Sequence, residues 1–446
     1  MASDLLSIAA SGARAARGAL DVTAQNIANA SSEGYVRRSL RIEEVSASGG
    51  VGRIGDISLS GSRIAEIRRN ADSFLQAEVR RTSGDLERAN VELSGLSNME
   101  SALEQSGVFT SIVEFEAVLQ QLSSDPIDAS RRASVLAEAE TLANKFNITA
   151  SSFDAVGSGL RFEAEAQVSE ANIIGGELGR VNLRLTRAGP GSSDRAALLD
   201  QRDQLLERLS SFTSITTNFA SDGTVAVSLG SSPPRSFVQG GTAGTLTSAT
   251  AADGTMSFAV DGQAMAPGSG SFEGTSLALT ELANVRTRLD TVAAGLANAM
   301  NTAQAAGVAL DGSAGQPIFS GTTAATLRAV MTDGAGLATA PAGAAAGSRD
   351  DANLNAMRQS LAALDPAQQV NGILFDVSSR VAGRSVTQSA LETIASSARV
   401  SLEQQSGVDL DTEAANLIRF QQAFQASGRA MQTATEIFDT LLGIGR

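Results

Sequence analysis

Paired carboxylates are the most reactive grouping this sequence contains. Glu43-Glu44, Glu138 with Glu140, and Asp350-Asp351 place acids side by side or two positions apart. A hydrolase can use such a pair when one member is held protonated and the other ionised, and a Mg²⁺ site can use it for its oxygens. Either use requires burial in a cleft; on a solvated face the same acids are ordinary surface charge. The rest of the catalytic repertoire is missing. The 446 residues include no His, no Cys and no Trp, and Tyr35 is the single tyrosine. Without His there is no imidazole base near neutral pH and no His-dependent serine triad. Without Cys there is no thiolate nucleophile, no disulfide and no Cys-ligated zinc or iron–sulfur centre. The chain is therefore expected to be no enzyme, with no catalytic, cofactor-binding or metal-ligating residues to assign.

Charge narrows the partners. Acids outnumber bases 48 to 34, a net charge of −14. A sequence-independent nucleic-acid binder needs a basic footprint on phosphates, and electrostatic attachment to an acidic membrane needs the same. Neither partner is expected. The start, Met1-Ala2-Ser3-Asp4-Leu5-Leu6-Ser7-Ile8, lacks the basic and continuous apolar regions of a cleaved signal peptide. No apolar run approaches the ~20 residues that span a bilayer.

The informative patterning lies in the two ends. Leu6, Ala13, Leu20 and Ile27 recur every seven residues, with Ala9, Ala16, Thr23 and Ala30 three positions further on. Leu410, Leu417, Phe424, Met431 and Phe438 repeat in the same way, completed by Phe420, Ser427, Ala434 and Leu441. A seven-residue apolar repeat forms a slowly drifting stripe that a partner helix follows as a left-handed supercoil. These stripes are expected to be assembly surfaces. In Ser406-Gly407-Val408-Asp409, Gly407 is expected to take a left-handed stop and Asp409 to cap the last helix.

Between the ends, helical patterning runs from about Ile64 to Leu209, broken at Gly107, Asp125-Pro126 and Gly189-Pro190-Gly191. It resumes from about Leu277 to Gln405, with a Gly/Ala-rich interruption near Leu337 to Gly347. The piece from Ser214 to Phe272 differs. Val225, Val227 and Leu229 alternate after Asp222-Gly223, and Met256, Phe258 and Val260 alternate between Asp253-Gly254 and Asp261-Gly262. Asp-Gly between alternating runs predicts hairpins, and Pro233-Pro234 predicts a loop or edge. The expected fold is mainly α with a small inserted β domain. Residues 1–45 with 404–446 form a coiled-coil-like terminal domain, 46–212 with 277–403 a discontinuous helical middle domain, and 213–276 the outer β domain.

One string joins these elements to a family. Leu20-Asp21 followed by Asn26-Ile27-Ala28-Asn29 and then Gly34-Tyr35 resembles the signature of flagellar rod, hook and hook-associated proteins. An ordinary helix stop would account for the Gly but not for the whole string. The segment from Ser406 to Ser427, with Asn416-Leu417-Ile418-Arg419-Phe420-Gln421-Gln422-Ala423-Phe424, looks like the closing helix of the hook-associated protein 1 family. Leu198-Leu199-Asp200-Gln201-Arg202-Asp203-Gln204-Leu205-Leu206 is similar to the motif before that family's β domain. Ala297-Asn298-Ala299-Met300-Asn301 with Gly307 and Leu310-Asp311-Gly312 matches its return. Ser32-Glu33 departs from the more usual Thr-Pro.

The resemblance implies a structural subunit at the hook–filament junction, exported unfolded through the flagellar type III apparatus without a cleaved signal. It implies an extracellular, flagellar location and self-assembly into a ring or helical layer. Contacts would be with hook protein and the next hook-associated protein, and an export chaperone would bind the C-terminal helix. Terminal helices paired antiparallel would line the innermost tube. The alternatives are a hook or distal rod protein within the family, and a cytoplasmic coiled-coil scaffold outside it.

Overall fold

The computed structural model describes residues 2–32, 34–44 and 61–444, without the side chains of 2–4 and 441–444. Helices dominate: α1 (Ala2–Ala28), α2 (Ser73–Ser106), α3 (Val108–Leu122), α4 (Ala129–Leu185), α5 (Ser193–Phe212), α6 (Gly270–Ala305), α7 (Ala352–Leu364), α8 (Pro366–Ser406) and α9 (Leu410–Ile444). The main strands are β1 (Arg38–Glu44), β2 (Ser62–Arg69), β3 (Ile215–Phe219), β4 (Val225–Leu229), β5 (Arg235–Gln239), β6 (Thr242–Ala243), β7 (Leu246–Thr250), β8 (Met256–Val260) and β9 (Gln263–Met265). The fold class is the expected one, long terminal helices and small sheets inserted among helices.

The chain forms two compact units. The first gathers Met1–Asp85, Glu170–Leu246 and Glu392–Arg446; the second gathers Leu86–Ser169 and Thr247–Leu391. In the first, α1 lies along α9 and also against the antiparallel β1–β2 hairpin. The sheet β3-β4-β5-β6 packs on the end of α4. There Asn182 of α4 acts as a side-chain rung. Its Nδ2 donates to the carbonyls of Val225 and Gly240, and its Oδ1 accepts from the Val225 N–H at 2.9 Å. Phe237 fills the space left by Gly175, where a Cβ would fall 2.6 Å from the ring.

The second unit has an aromatic and aliphatic core. Ile112, Phe115, Leu119, Leu142, Phe146 and Phe153 are sealed from solvent. The Phe115 and Phe319 rings meet edge-on at 5.8 Å, and Phe258 stacks on Phe272 at 4.6 Å. Arg132 sits inside this unit with no carboxylate partner among the described residues. Instead its guanidinium donates to the carbonyls of Pro126, Gly334 and Leu337 and to Thr339 Oγ1, tying the 334–339 loop to the start of α4.

Several boundaries differ from the expectation. Ile64–Arg69 is strand, because Leu40, Ile42, Ile64 and Ile67 pair across the β1–β2 ladder; the helix begins only at Ser73. α6 begins at Gly270 rather than near Leu277, and residues 306–351 form turns, two-residue strands and one short 3₁₀ turn (Gly334–Gly336) instead of α-helix. Gly307 allows backbone approach where a Cβ would meet the Ala340 carbonyl at 2.7 Å. The breaks at Gly107, Asp125-Pro126 and Gly189-Pro190-Gly191 stand where expected. Both alternating β runs are buried at the expected positions, and Pro233-Pro234 occupies the turn between β4 and β5. The strands between 213 and 276 make two sheets, β3-β4-β5-β6 and β7-β8-β9.

Candidate functional site

None of the acidic pairs is buried: Glu43, Glu138 and Asp351 are half-buried and their neighbours exposed. Glu43 pairs with Arg41 and Arg63 on the hairpin surface, Glu44, Glu140 and Asp350 are exposed, and Asp350 accepts from the Ala352 N–H as a turn acid. Among the described residues no three His, Cys, Asp or Glu converge on a metal position, and no helix is long and apolar enough to cross a membrane. The built site is the terminal pair and the polar cluster at its foot.

α1 is buried on two sides. One side, Ala9, Ala13, Ala16 and Thr23 with half-buried Leu20 and Ile27, is the expected heptad stripe. The other, Ala15, Ala19, Val22 and Asn26, is offset by one position and was not anticipated. Alanines let both neighbours approach closely. A Cβ built on Gly12 would lie 3.1 Å from Ser427 Oγ of α9, and one on Gly18 would collide with Ile64 of the hairpin. Gly12 faces Ser427 while Arg37, beyond the other end of α1, reaches Glu413, so the terminal helices run antiparallel.

α9 is buried on one seam only. Glu413 and Ala434 are buried, and Leu417, Phe420, Ser427 and Met431 are half-buried. At 35 residues the helix is about 52 Å long at 1.5 Å per residue. Its other apolar residues face outward: Leu410, Ile418, Phe424, Ile437 and Phe438 are each more than two-fifths exposed, as is Leu6 on α1. Leu441 lies in the helical backbone, and its side chain is outside the described residues. The stripes named from the sequence therefore divide between residues that hold the pair together and residues left open.

At the foot of the pair, the Asn-Ile-Ala-Asn string has a mechanical reading. Asn26 is fully buried and clamps the start of β1. Its Nδ2 donates to the Arg38 carbonyl at 2.8 Å and its Oδ1 accepts from the Arg38 N–H at 3.0 Å and from the Tyr35 hydroxyl at 2.9 Å. Ala28 closes α1, and the Asn29 amide donates to the Gln25 carbonyl to finish it. Gly34 has φ +71°, and a Cβ there would strike the Gln204 side chain. Tyr35 thus folds back onto the end of α1. The Arg38 guanidinium lies 5.0 Å from the Tyr35 ring centroid. Burial pushes the phenol above its ordinary value of 10 against the opposing pull of Arg38.

The Leu198–Leu206 motif supplies the other half of the cluster. Asp200 accepts from Arg38 at 2.9 Å and from Arg69 at 2.8 Å. Asp203 accepts from Arg69, Gln76 and Arg202 at 2.8, 3.1 and 2.9 Å. Arg202 also donates to the Gly223 carbonyl and stacks 4.6 Å from the Phe219 centroid. Burial pushes the Asp203 carboxyl up, but Arg202 and Arg69 together outweigh it and hold the group below the usual carboxylate value. The motif thus fastens α5 to the hairpin and the Gly-Tyr turn. Arg37, Arg38, Arg69 and Glu413, which complete this network, were missed. Three arginines flanking two β-alternating runs were the available signal.

The turn into α9 differs in one respect from the expectation. Asp409 does cap, accepting from the Thr412 N–H at 2.8 Å. Gly407 does not adopt a positive φ; it is required because a Cβ would collide with the Glu403 carbonyl, to which its own N–H donates at 2.7 Å.

Residues 93–319, half of the chain, match the family described as flagellar hook-associated protein FlgK helical domain. The chain belongs to the flagellar hook-associated protein FlgK family. Its ends match two further families, flagella basal body rod protein at 6–35 and flagellar basal body rod FlgEFG protein C-terminal at 402–444. It is 25% identical to flagellar hook-associated protein 1 of Bacillus subtilis over 97% of this chain and 96% of that one. To the Escherichia coli protein of the same name it is 28% identical over 71% of this chain and 60% of the other. A solved structure of the flagellar hook junction protein FlgK from Burkholderia pseudomallei aligns with 55% of this chain and 46% of its own, at 20% identity and a TM-score of 0.48. The rod-type matches fall on α1 with its Gly-Tyr turn and on α9, the elements of the site described above. The FlgK match covers the interior.

Proposed function

We propose that the chain is a structural subunit of the flagellar axis that forms the junction between hook and filament. The observation that carries this reading is the antiparallel α1–α9 pair. Its inner seam is closed by small residues while Leu410, Ile418, Phe424 and Phe438 remain open to solvent along one helix. Burying one such side chain contributes about 1.5–3 kcal/mol, so a row of them supports addition of further subunits into a ring or helical layer. The interior match favours the junction over a hook or distal rod protein, because the rod families match only the ends. In this reading the neighbours are hook protein and the next hook-associated protein. The chain leaves the cell unfolded without a cleaved signal and works extracellularly, and the open stripe of α9 meets an export chaperone before it meets the tube. A chain without Cys suits passage from a reducing to an oxidising compartment.

Immunolabelling of purified hook–basal bodies tests the proposal. Label confined to the distal end of the hook supports it; label along the hook or rod, or protein retained in the lysate of a filament-less strain as a cytoplasmic scaffold would be, sinks it. Removal of residues from Ala414 onward is expected to leave the second unit folded and abolish incorporation.

A further inference from the structure

Among the described residues, the buried charges are matched with one exception. Arg38 and Asp200 pair with each other, Arg202 with Asp203, Glu92 with Arg384, Glu281 with Arg380 and Glu413 with Arg37, while Arg132 has four oxygen acceptors. Arg80 of α2 is 93% buried (relative exposure 7%), yet its guanidinium makes no hydrogen bond and no ion pair among the described residues. A guanidinium this deeply placed and without a protein acceptor keeps only part of its hydration, a cost of roughly 1–3 kcal/mol in general. Such a cost persists where something outside the chain supplies the acceptor.

The place for that acceptor is present. Arg80 lines a cleft of about 750 Å³ in the first unit, between the Gly34-Tyr35 turn, the start of α2, α5 and the α8–α9 turn. None of its nitrogens is sealed from solvent, and the residue lines the cleft. The charges facing it are Asp203, Glu207, Glu403, Asp409 and Arg399. Asp203 is engaged by Arg69 and Arg202, Glu207 by Arg399, and Asp409 by the Thr412 N–H. None of them reaches Arg80. Burial lowers the guanidinium's proton affinity, partly offset by Asp203, yet arginine remains charged at any physiological pH.

We propose that the Arg80 cleft receives a carboxylate side chain from a second copy of this chain. A free multivalent anion would meet four carboxylates at the rim, whereas a peptide carboxylate brings one charge together with N–H donors that the rim acids accept. The chain itself has a surplus of acids, 48 against 34 bases. The rim also continues from Val408 and Asp409 directly into Leu410, the first open apolar residue of α9. A copy covering that stripe reaches the cleft in the same contact. This inference rests on the structural-subunit reading and names one docking point within it.

The test uses full-length Arg80→Met, which keeps the aliphatic stem, with Arg80→Lys and Phe424→Asp beside it. Incorporation onto isolated hooks is scored for each, along with the thermal midpoint of the monomer with and without sodium sulfate. The proposal expects Arg80→Met to melt no lower than wild type while incorporating about tenfold less or worse, and Arg80→Lys to recover part of the loss. Undiminished incorporation of Arg80→Met, with Phe424→Asp defective, overturns the Arg80 proposal and leaves the subunit reading intact. A midpoint well below wild type for Arg80→Met and Arg80→Lys alike assigns Arg80 to the monomer's own structure and overturns it too. So does a saturable sulfate stabilisation of wild type, lost in Arg80→Met, with incorporation unaltered. Failure of wild type to incorporate removes both readings.

Discussion

Arg37 and Glu413 stand 376 positions apart, and the Arg37 Nε donates to Glu413 Oε1 at 2.7 Å across the foot of the terminal pair. Glu413 is almost completely buried, while Arg37 keeps a quarter of its side chain in water. The Arg37 N–H also donates to the Ser406 carbonyl at 2.8 Å. Arg37, two residues after Tyr35, therefore fixes both the end of α8 and the start of α9. Breaking such a pair by removing one partner leaves a buried charge uncompensated, at about 3 kcal/mol or more. Arg37→Ala is accordingly expected to raise amide hydrogen exchange across α9 by two orders of magnitude, with the second unit unchanged. Glu413→Gln, which leaves no buried charge, is expected to do much less. Equal protection of α9 in Arg37→Ala and wild type would show that the pair contributes nothing.

Gly34 is expected to resist any side chain for two separable reasons. Its φ of +71° costs an L-residue about 1 kcal/mol, and the added Cβ runs into Gln204. Gly34→Ala should lower the urea midpoint. The double variant Gly34→Ala/Gln204→Ala should recover the steric part and not the conformational part. Full recovery in the double variant would leave the turn's geometry without a role.

Acid should loosen the polar cluster through Asp203. Its folded pKa lies below the ordinary value, so its contribution is complete above the unfolded pKa of about 3.9 and is lost as pH falls through the folded value. The stability of wild type should therefore rise with pH below about 4 more steeply than that of Asp203→Asn, measured as urea midpoints at successive pH values. Parallel curves would mean that Arg69 and Arg202 do not lower this carboxyl.

Much of this arrangement was legible because it is periodic or local. The α1 and α9 stripes, the Asp409 cap, the Gly34 turn and the Asp-Gly hairpins each depend on residues within a few positions of one another. What was not legible depends on residues distant in sequence. The second buried side of α1 exists because the β1–β2 hairpin lies on it, and a heptad count looks for one partner. Ile64 and Ile67 suited a helix as well as a strand until Leu40 and Ile42 were known to face them. The arginines of the cluster carry no local sign of their partners, since nothing near Arg37 in sequence announces Glu413. Within α9, the same heptad spacing covers Leu417, which packs, and Phe424 and Phe438, which remain open. Periodicity identifies an apolar stripe and leaves undecided how much of it one partner covers.

Antiparallel pairing of the termini predicts a specific cross-link. A Cβ at position 12 would sit 3.9 Å from the Ser427 Cβ, inside the 3.5–4.5 Å range of disulfides. The chain contains no Cys, so Gly12→Cys/Ser427→Cys has one intramolecular disulfide available to it. Mild oxidation of the dilute monomer should close that bond in most molecules, detected as a faster-migrating, reductant-sensitive species. Pairing Gly12→Cys with a cysteine at Thr412 instead, near the N-terminal end of α9 and about 22 Å along the helix from Ser427 at 1.5 Å per residue, should give little product. The bond should also slow hydrogen exchange in α1 and α9 together, since neither helix can then separate alone. Closure at 427 and 412 with equal yield would mean that the termini sample many registers in the monomer. The observed register would then be imposed only by assembly.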